Sequence, residues 1–212
     1  MIKGLVKYKG FSPKIENECS IDNSSWVIGN TYLGKNSHLA RRVVLRGDGA
    51  EIKVGKNVTF LDRSTVHIAS DFMGSYIGDN SIIGRYALVH ACSIGERVIL
   101  GDQAIVMDGS NIGDNSIIAA NALVSPGKVF PKNSLISGSP AKVISSISDE
   151  DYKNYDFAAG FDCDADRVEI VTSKGMISGN QLLALIADEI LKEIKNRLEF
   201  LINVGLDYLT LS

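Results

Sequence analysis

The sequence predicts a mainly β protein: a triangular parallel β-helix followed by a C-terminal α/β appendage that ends in a helix. Three observations predict it. An aliphatic or aromatic residue recurs every six positions; a Gly often follows it; and both features stop after Ile147, where the composition shifts. A period of six fits neither the 3.6 of a helix nor a simple hairpin, whereas three hexads make one 18-residue turn of a prism with three walls. Each hexad supplies one short strand and one corner, with its first side chain pointing inward and stacking on its equivalents in neighbouring turns. The expected units are therefore residues 1–147, the β-helix, and 148–212, the appendage.

Taken in order, the inward positions are Val27, Leu33, Leu39 and Leu45, then Val54, Phe60 and Val66, then Ile77, Ile83 and Val89. After a five-residue step the series resumes at Ile94, Leu100, Val106, Ile112, Ile118 and Val124, and Gly follows Ile77, Ile83, Ile94, Leu100 and Ile112. Small residues at these places let the backbone turn a corner. Two interruptions stand out, RGDGAE after Leu45 and HIASDFMGSY after Val66, and both read as loops projecting from corners.

Composition narrows the function classes. At 212 residues and 45% hydrophobic, the chain can bury a sizeable core. A net charge of -3 gives no electrostatic case for nucleic acid or an anionic membrane, and neither is expected as a partner. No apolar run approaches the length of a membrane span, and Met1–Gly10 has no apolar h-region, so a cytoplasmic protein is expected. Cys19, Cys92 and Cys163 form no CxxC pair, which suits small fillers in a reducing compartment better than a disulfide framework.

Val66 and Val89 are 23 positions apart, one 18-residue turn plus five extra residues, so they should sit one above the other. His67 and His90 then point the same way, about 5 Å apart given the spacing of neighbouring strands. Two stacked imidazoles can bind a metal, or can be corner histidines satisfied by hydrogen bonds.

The blocks VVLRGDGAEIKVG, DRSTVH, IGDNSIIGRYALVHACSIGERVILG and PGKVFPKNSLISGSPAKVI, in that order over about residues 12–147, resemble γ-class carbonic anhydrases and their relatives. The resemblance implies a left-handed β-helix, a homotrimer, and three-histidine sites for Zn²⁺, Co²⁺ or Fe²⁺ at the subunit interfaces, where CO2 and bicarbonate interconvert. By that resemblance the metal ligands are His67 and His90, and the third position, contributed by a neighbouring subunit, falls on Arg85. Arg46, Asp48 and Asp62 are the implied catalytic residues. A guanidinium is a permanent cation without a lone pair and cannot ligate. His38 sits at another phase of the hexad and is a poor substitute. A proton-handling Gln of the family is replaced by Leu61, and a neighbouring Asn by Thr59. The expectation is a carbonic-anhydrase-like protein with weak or absent hydratase activity, in which Arg46 and Arg85 favour a small anion.

Two other readings stand beside it. Hexapeptide acyltransferases also close on a motif like GSPAKVI and use a His as general base toward an amine or hydroxyl, with an acyl-CoA lying between adjacent β-helices, a role open to His67 or His90. A non-catalytic trimeric scaffold is the other, since the fold offers flat, repetitive faces.

In the appendage, Ser148 with Asp151 three residues on looks like a helix start. Residues 156–191 resemble the metal-loop region of α-phosphohexomutases such as phosphomannomutase or phosphoglucosamine mutase. That resemblance puts a possible Mg²⁺ loop at Asp162, Asp164 and Asp166, beside Arg167, with Cys163 in place of a Gly; alternate carboxylates suit a hard cation. The loop is not an EF-hand, and the Ser-bearing phosphoryl-transfer loop is missing, so a fragment retained as structure is the favoured reading. Val168–Thr172 and Met176–Ser178 should form a hairpin. Asn180 should cap a helix toward Asn203 with a broad apolar face through Leu182, Leu185, Ile186 and Ile190.

Overall fold

The computed structural model describes residues 4–147 and, beyond them, the strand backbones 157–161, 168–172 and 175–177. The chain divides into two compact units, Met1–Asp149 and Glu150–Ser212.

The first unit is a parallel β-solenoid with three walls. Its first wall stacks Leu5–Val6, the beginnings of Trp26–Leu33 and Val44–Val54, then Thr65–His67, Leu88–His90, Ile105–Val106 and Leu123–Val124. The second stacks Lys14–Ile15, the ends of the same two long strands, Ser75–Ile77, Ser93–Ile94, Asn111–Ile112 and Val129–Phe130. A separate sheet forms the third wall, from Ser20–Ile21 through His38–Leu39, Thr59–Phe60, Ile82–Ile83, Ile99–Leu100 and Ile117–Ile118 to Ser134–Gly138. Pairing is parallel throughout these stacks, and the unit ends where Ala141–Ser146 folds back antiparallel on Ser134–Gly138. The GSPAKVI segment is that reversal. Among the described residues no helix is long and apolar enough to cross a membrane.

The hexad positions occupy register-matched columns. Val27, Leu45, Val66, Val89, Val106 and Val124 pair in sequence down the first wall, and Leu33, Val54, Ile77, Ile94, Ile112 and Phe130 down the second. Together with Leu39, Phe60, Ile83, Leu100, Ile118 and Ile136 of the third wall they form one buried core. Full burial of each such side chain contributes roughly 1.5–3 kcal/mol.

Corners satisfy the backbone where no ladder can. Between the second and third walls Asn36, Asn57, Asn80, Asn115 and Asn133 all have left-handed φ values of 54–60°, a conformation Asn tolerates better than other residues with a Cβ. Asn36 donates to Asn57 at 2.8 Å and Asn57 to Asn80 at 2.9 Å, a ladder along the corner. Buried serines do similar work: Ser37 Oγ donates to the Gly55 carbonyl and accepts the Val58 N–H, both at 3.1 Å. Among the described residues no buried side-chain polar atom lacks a partner, as a packed interior requires.

One interruption differs from expectation. RGDGAE does not project as a loop but lies inside the eleven-residue strand Val44–Val54, which passes around the corner paired with Trp26–Leu33. Gly47 and Gly49 allow this, because a Cβ on Gly47 would meet the Asn30 carbonyl oxygen at 2.5 Å and one on Gly49 the Ser70 oxygen at the same distance. The second interruption does project: Ala69 and Met73 bridge antiparallel, and Phe72 at the tip is 78% exposed.

In the second unit, Phe157–Phe161, Val168–Thr172 and Gly175–Ile177 form an antiparallel three-stranded sheet. The hairpin read over Val168–Thr172 and Met176–Ser178 is present with its second strand starting one residue earlier, and Phe157–Phe161 is a strand the sequence did not suggest. The expected helices at 148–155 and 180–203, and Asp162, Asp164, Asp166 and Cys163, lie outside the described residues.

Candidate functional site

The site is a product of register. Thr65–His67 pairs with Leu88–His90 so that His90 lies on His67, and Arg46 pairs with His67 one turn earlier. Since Leu45, Val66 and Val89 point inward, alternation turns Arg46, His67 and His90 outward in one column at the edge of the first wall. The two imidazole centroids are 5.2 Å apart and their planes tilted by 56°.

The side chains meet in a line. Asp48 Oδ1 lies 3.0 Å from His67 Nε2, His67 Nδ1 lies 3.2 Å from His90 Nε2, and His90 Nδ1 lies 2.5 Å from Asp108 Oδ1. Arg46 Nε stands 3.6 Å from the other oxygen of Asp48. Three contacts need three protons, and two neutral imidazoles carry two. Which nitrogen donates at each contact depends on the tautomers of the two imidazoles. Burial is the main cause that pushes the His67 pKa below its ordinary 6.5, aided by Arg46 and His90 and opposed by Asp48. The fold thus favours the neutral form of His67.

This arrangement does not fit the three-histidine metal centre that the family resemblance implies. A metal needs lone pairs converging on one point, yet every ring nitrogen here is engaged along a line. Among the described residues no group of three or more His, Cys, Asp or Glu side chains is placed to hold a metal ion. Arg85 lies at the opposite edge of the first wall, where its backbone N–H donates to Asp102 at 2.7 Å and its guanidinium at 3.2 Å.

The remaining candidates are elsewhere. Asp62 turns its carboxylate to the Arg41 N–H, 3.0 Å away, at the corner before the first wall. Leu61 precedes it and accepts the Ser64 hydroxyl at its carbonyl. His38 is on the third wall, paired with Ser20 and Thr59. Asp108 was not singled out from the sequence, although it lies 18 residues, one full turn, beyond His90. Beside His67 is a depression of about 260 Å³ lined by Tyr8, Lys9, Asp48, Ser70 and Asp71. Its N-terminal wall, with Lys9 3.7 Å from Asp71, lies outside the repeat and gave no sequence signal.

Residues 91–126 match the bacterial transferase hexapeptide (six repeats) family. The chain is 32% identical over 145 residues to γ carbonic anhydrase 1 of Arabidopsis thaliana mitochondria, covering 66% of this chain and 53% of that one. It thus spans about half the length of the plant relatives it matches. A solved hexapeptide transferase family protein from Anaplasma phagocytophilum is 32% identical with a TM-score of 0.67, covering 71% of this chain and 89% of that one. Protein YrdA of Escherichia coli is 36% identical over 163 residues, 73% of this chain and 88% of that one. With repeat, solenoid and relatives in agreement, the chain belongs to the hexapeptide-repeat family, among its γ-carbonic-anhydrase-like members.

Proposed function

We propose that this chain is a γ-carbonic-anhydrase-type homotrimer whose CO2 hydration is weak or absent. The observation that carries the reading is the linear Asp48–His67–His90–Asp108 array, which occupies the imidazole nitrogens while a guanidinium stands at the third ligand position. What these residues would still favour is a small anion: Arg46 stands 3.6 Å from Asp48, and Asp48 and His67 line the depression. The test is metal content per subunit and CO2 hydration of protein purified without chelators or a metal-binding tag. The wild type should carry little zinc, cobalt or iron and hydrate CO2 slowly. Arg85→His combined with Leu61→Gln should raise both. Near-stoichiometric metal in the wild type, or no change in either quantity in the double variant, would sink the reading.

One observation favours a second reading, acyl transfer. Asp108 holds His90 Nδ1 at 2.5 Å, so His90 Nε2 would act as general base once an incoming amine or hydroxyl displaces its contact with His67, and the relative from Anaplasma phagocytophilum is described as a hexapeptide transferase family protein. A rise in melting temperature with acetyl-CoA, absent with free acetate, supports this reading, since a ligand specific for the native state stabilises it. No shift at millimolar acetyl-CoA removes it.

A further inference from the structure

Two excursions from the repeat meet over the corner between the first and second walls. Tyr8 and Phe11 exchange backbone hydrogen bonds of 2.9 Å around Lys9 and Gly10, whose φ values of 46° and 87° make a two-residue hairpin turn. Ala69 and Met73 pair likewise around residues 70–72. The first excursion follows Leu5–Val6 and the second follows Thr65–His67, three rungs further along the stack, so their strands stand about 14 Å apart. Yet Lys9 Nζ lies 3.7 Å from Asp71 Oδ1. The turns between them carry Gly29 and Gly49, which let the excursions lie down on the stack. A Cβ on Gly29 would stand 3.4 Å from the Tyr8 Cβ, and one on Gly49 would strike the Asp71 carboxylate. The depression beside His67 is lined by both excursions, through Tyr8, Lys9, Ser70 and Asp71.

We propose that this depression, spanned by the Lys9–Asp71 pair, binds a small zwitterion of the free amino acid class. Its volume of about 260 Å³ is that of about nine waters, more than CO2 or bicarbonate fills and on the scale of an amino acid. Its lining sets both signs of charge side by side, with the Lys9 ammonium 5.9 Å from the centre of the Tyr8 ring and Asp71 opposite. A simple anion on Lys9 would face the Asp71 carboxylate, and a simple cation on Asp71 would face the Lys9 ammonium. A molecule that bears both charges meets each with its opposite. At 3.7 Å the exposed pair is longer than a hydrogen bond and contributes little by itself, so a ligand that replaces each partner gives up little. The ligand carboxylate accepts from Lys9 and the Tyr8 hydroxyl, and its ammonium donates to Asp71 and the Ser70 hydroxyl oxygen. Asp48 and His67 form another side of the site and keep their contact with each other. This site goes beyond the CO2 reading and needs no metal.

Thermal-shift titration of the full chain tests it, with each standard amino acid at millimolar concentration and with acetate and methylamine as single-charge controls. At least one amino acid should raise the melting temperature saturably, while acetate and methylamine, alone or together, leave it unchanged. In calorimetric titration with that amino acid, Lys9→Met and Asp71→Asn should each raise the dissociation constant at least about tenfold, as loss of a hydrogen bond to a charged group does. Without ligand both variants should melt like the wild type, because an exposed ion pair contributes little. No saturable shift with any amino acid, an equal shift with acetate alone, or unaltered affinity in either variant would each overturn the inference. Metal content and CO2 hydration do not enter this test, so its failure leaves the reading above in place, and the failure of that reading leaves the site.

Discussion

At the scale of single residues, His67 and Cys92 show how a prism wall changes chemistry. The fold favours the neutral form of His67, because its pKa is held below the ordinary 6.5 chiefly by burial. A depressed folded-state pKa contributes stability that is present above 6.5 and is lost as pH falls below it. The denaturation midpoint of the wild type should therefore drop between pH 7.5 and pH 5, and His67→Gln should flatten part of that drop; an identical pH dependence in the variant would refute the assignment. Cys92 lies in the core with its thiol pKa pushed up to about 12 by burial. Only the thiolate reacts with alkylating agents, so peptide mapping after iodoacetamide treatment at pH 8 should find Cys92 unmodified in native protein and modified in urea. Labelling of the native protein at that site would contradict the burial.

At the scale of the repeat, a turn is stabilised as much by its corner as by its strands. Asn57 has φ of 54° and both accepts from Asn36 and donates to Asn80. Asn57→Ala should lower stability by about 1–2 kcal/mol, because a left-handed residue with a Cβ is strained. Asn57→Gly should cost less, since it loses the ladder but keeps the conformation; equal losses in urea titrations would mean that the ladder, not the dihedral, matters. The glycines behind the inward residues answer to a different constraint. A Cβ on Gly84 would stand 2.5 Å from the Gly101 carbonyl carbon and 2.6 Å from the Asp102 nitrogen in the next turn. Gly84→Ala should therefore cost about 1–3 kcal/mol, as overpacking does, and a neutral result would show that the turns can separate.

At the scale of the molecule, contacts of a solenoid run only between adjacent turns, so stability sums along the stack instead of radiating from a centre. The hydrophobic core described above lies wholly within residues 15–141, and the antiparallel Ala141–Ser146 strand covers the last rung of the third wall. A fragment of residues 1–147 should accordingly fold by itself, with a β-type circular dichroism spectrum and a cooperative melt. A fragment without a melting transition would mean that the second unit is needed to hold the stack.

The core was legible in the sequence because a six-residue period is a local property: Val66 and Val89 can be placed on one column by counting, and so His67 and His90 can be placed on each other. The same counting, extended by one turn, would have reached Asp108. RGDGAE misled because its spacing departs from six, and spacing alone does not distinguish a loop from an extended strand that carries extra residues around a corner. Nor does a repeat describe what lies outside it, so Tyr8 and Lys9 could not be assigned to the depression beside His67. The sequence by itself determined the walls and the inward columns, since these follow from residue type and period. Only the tertiary structure decided that Asp48, His67, His90 and Asp108 lie in a line and that Arg85 is held at the far edge by Asp102. Ring orientation depends on distances across turns, and residue spacing along the chain does not fix it.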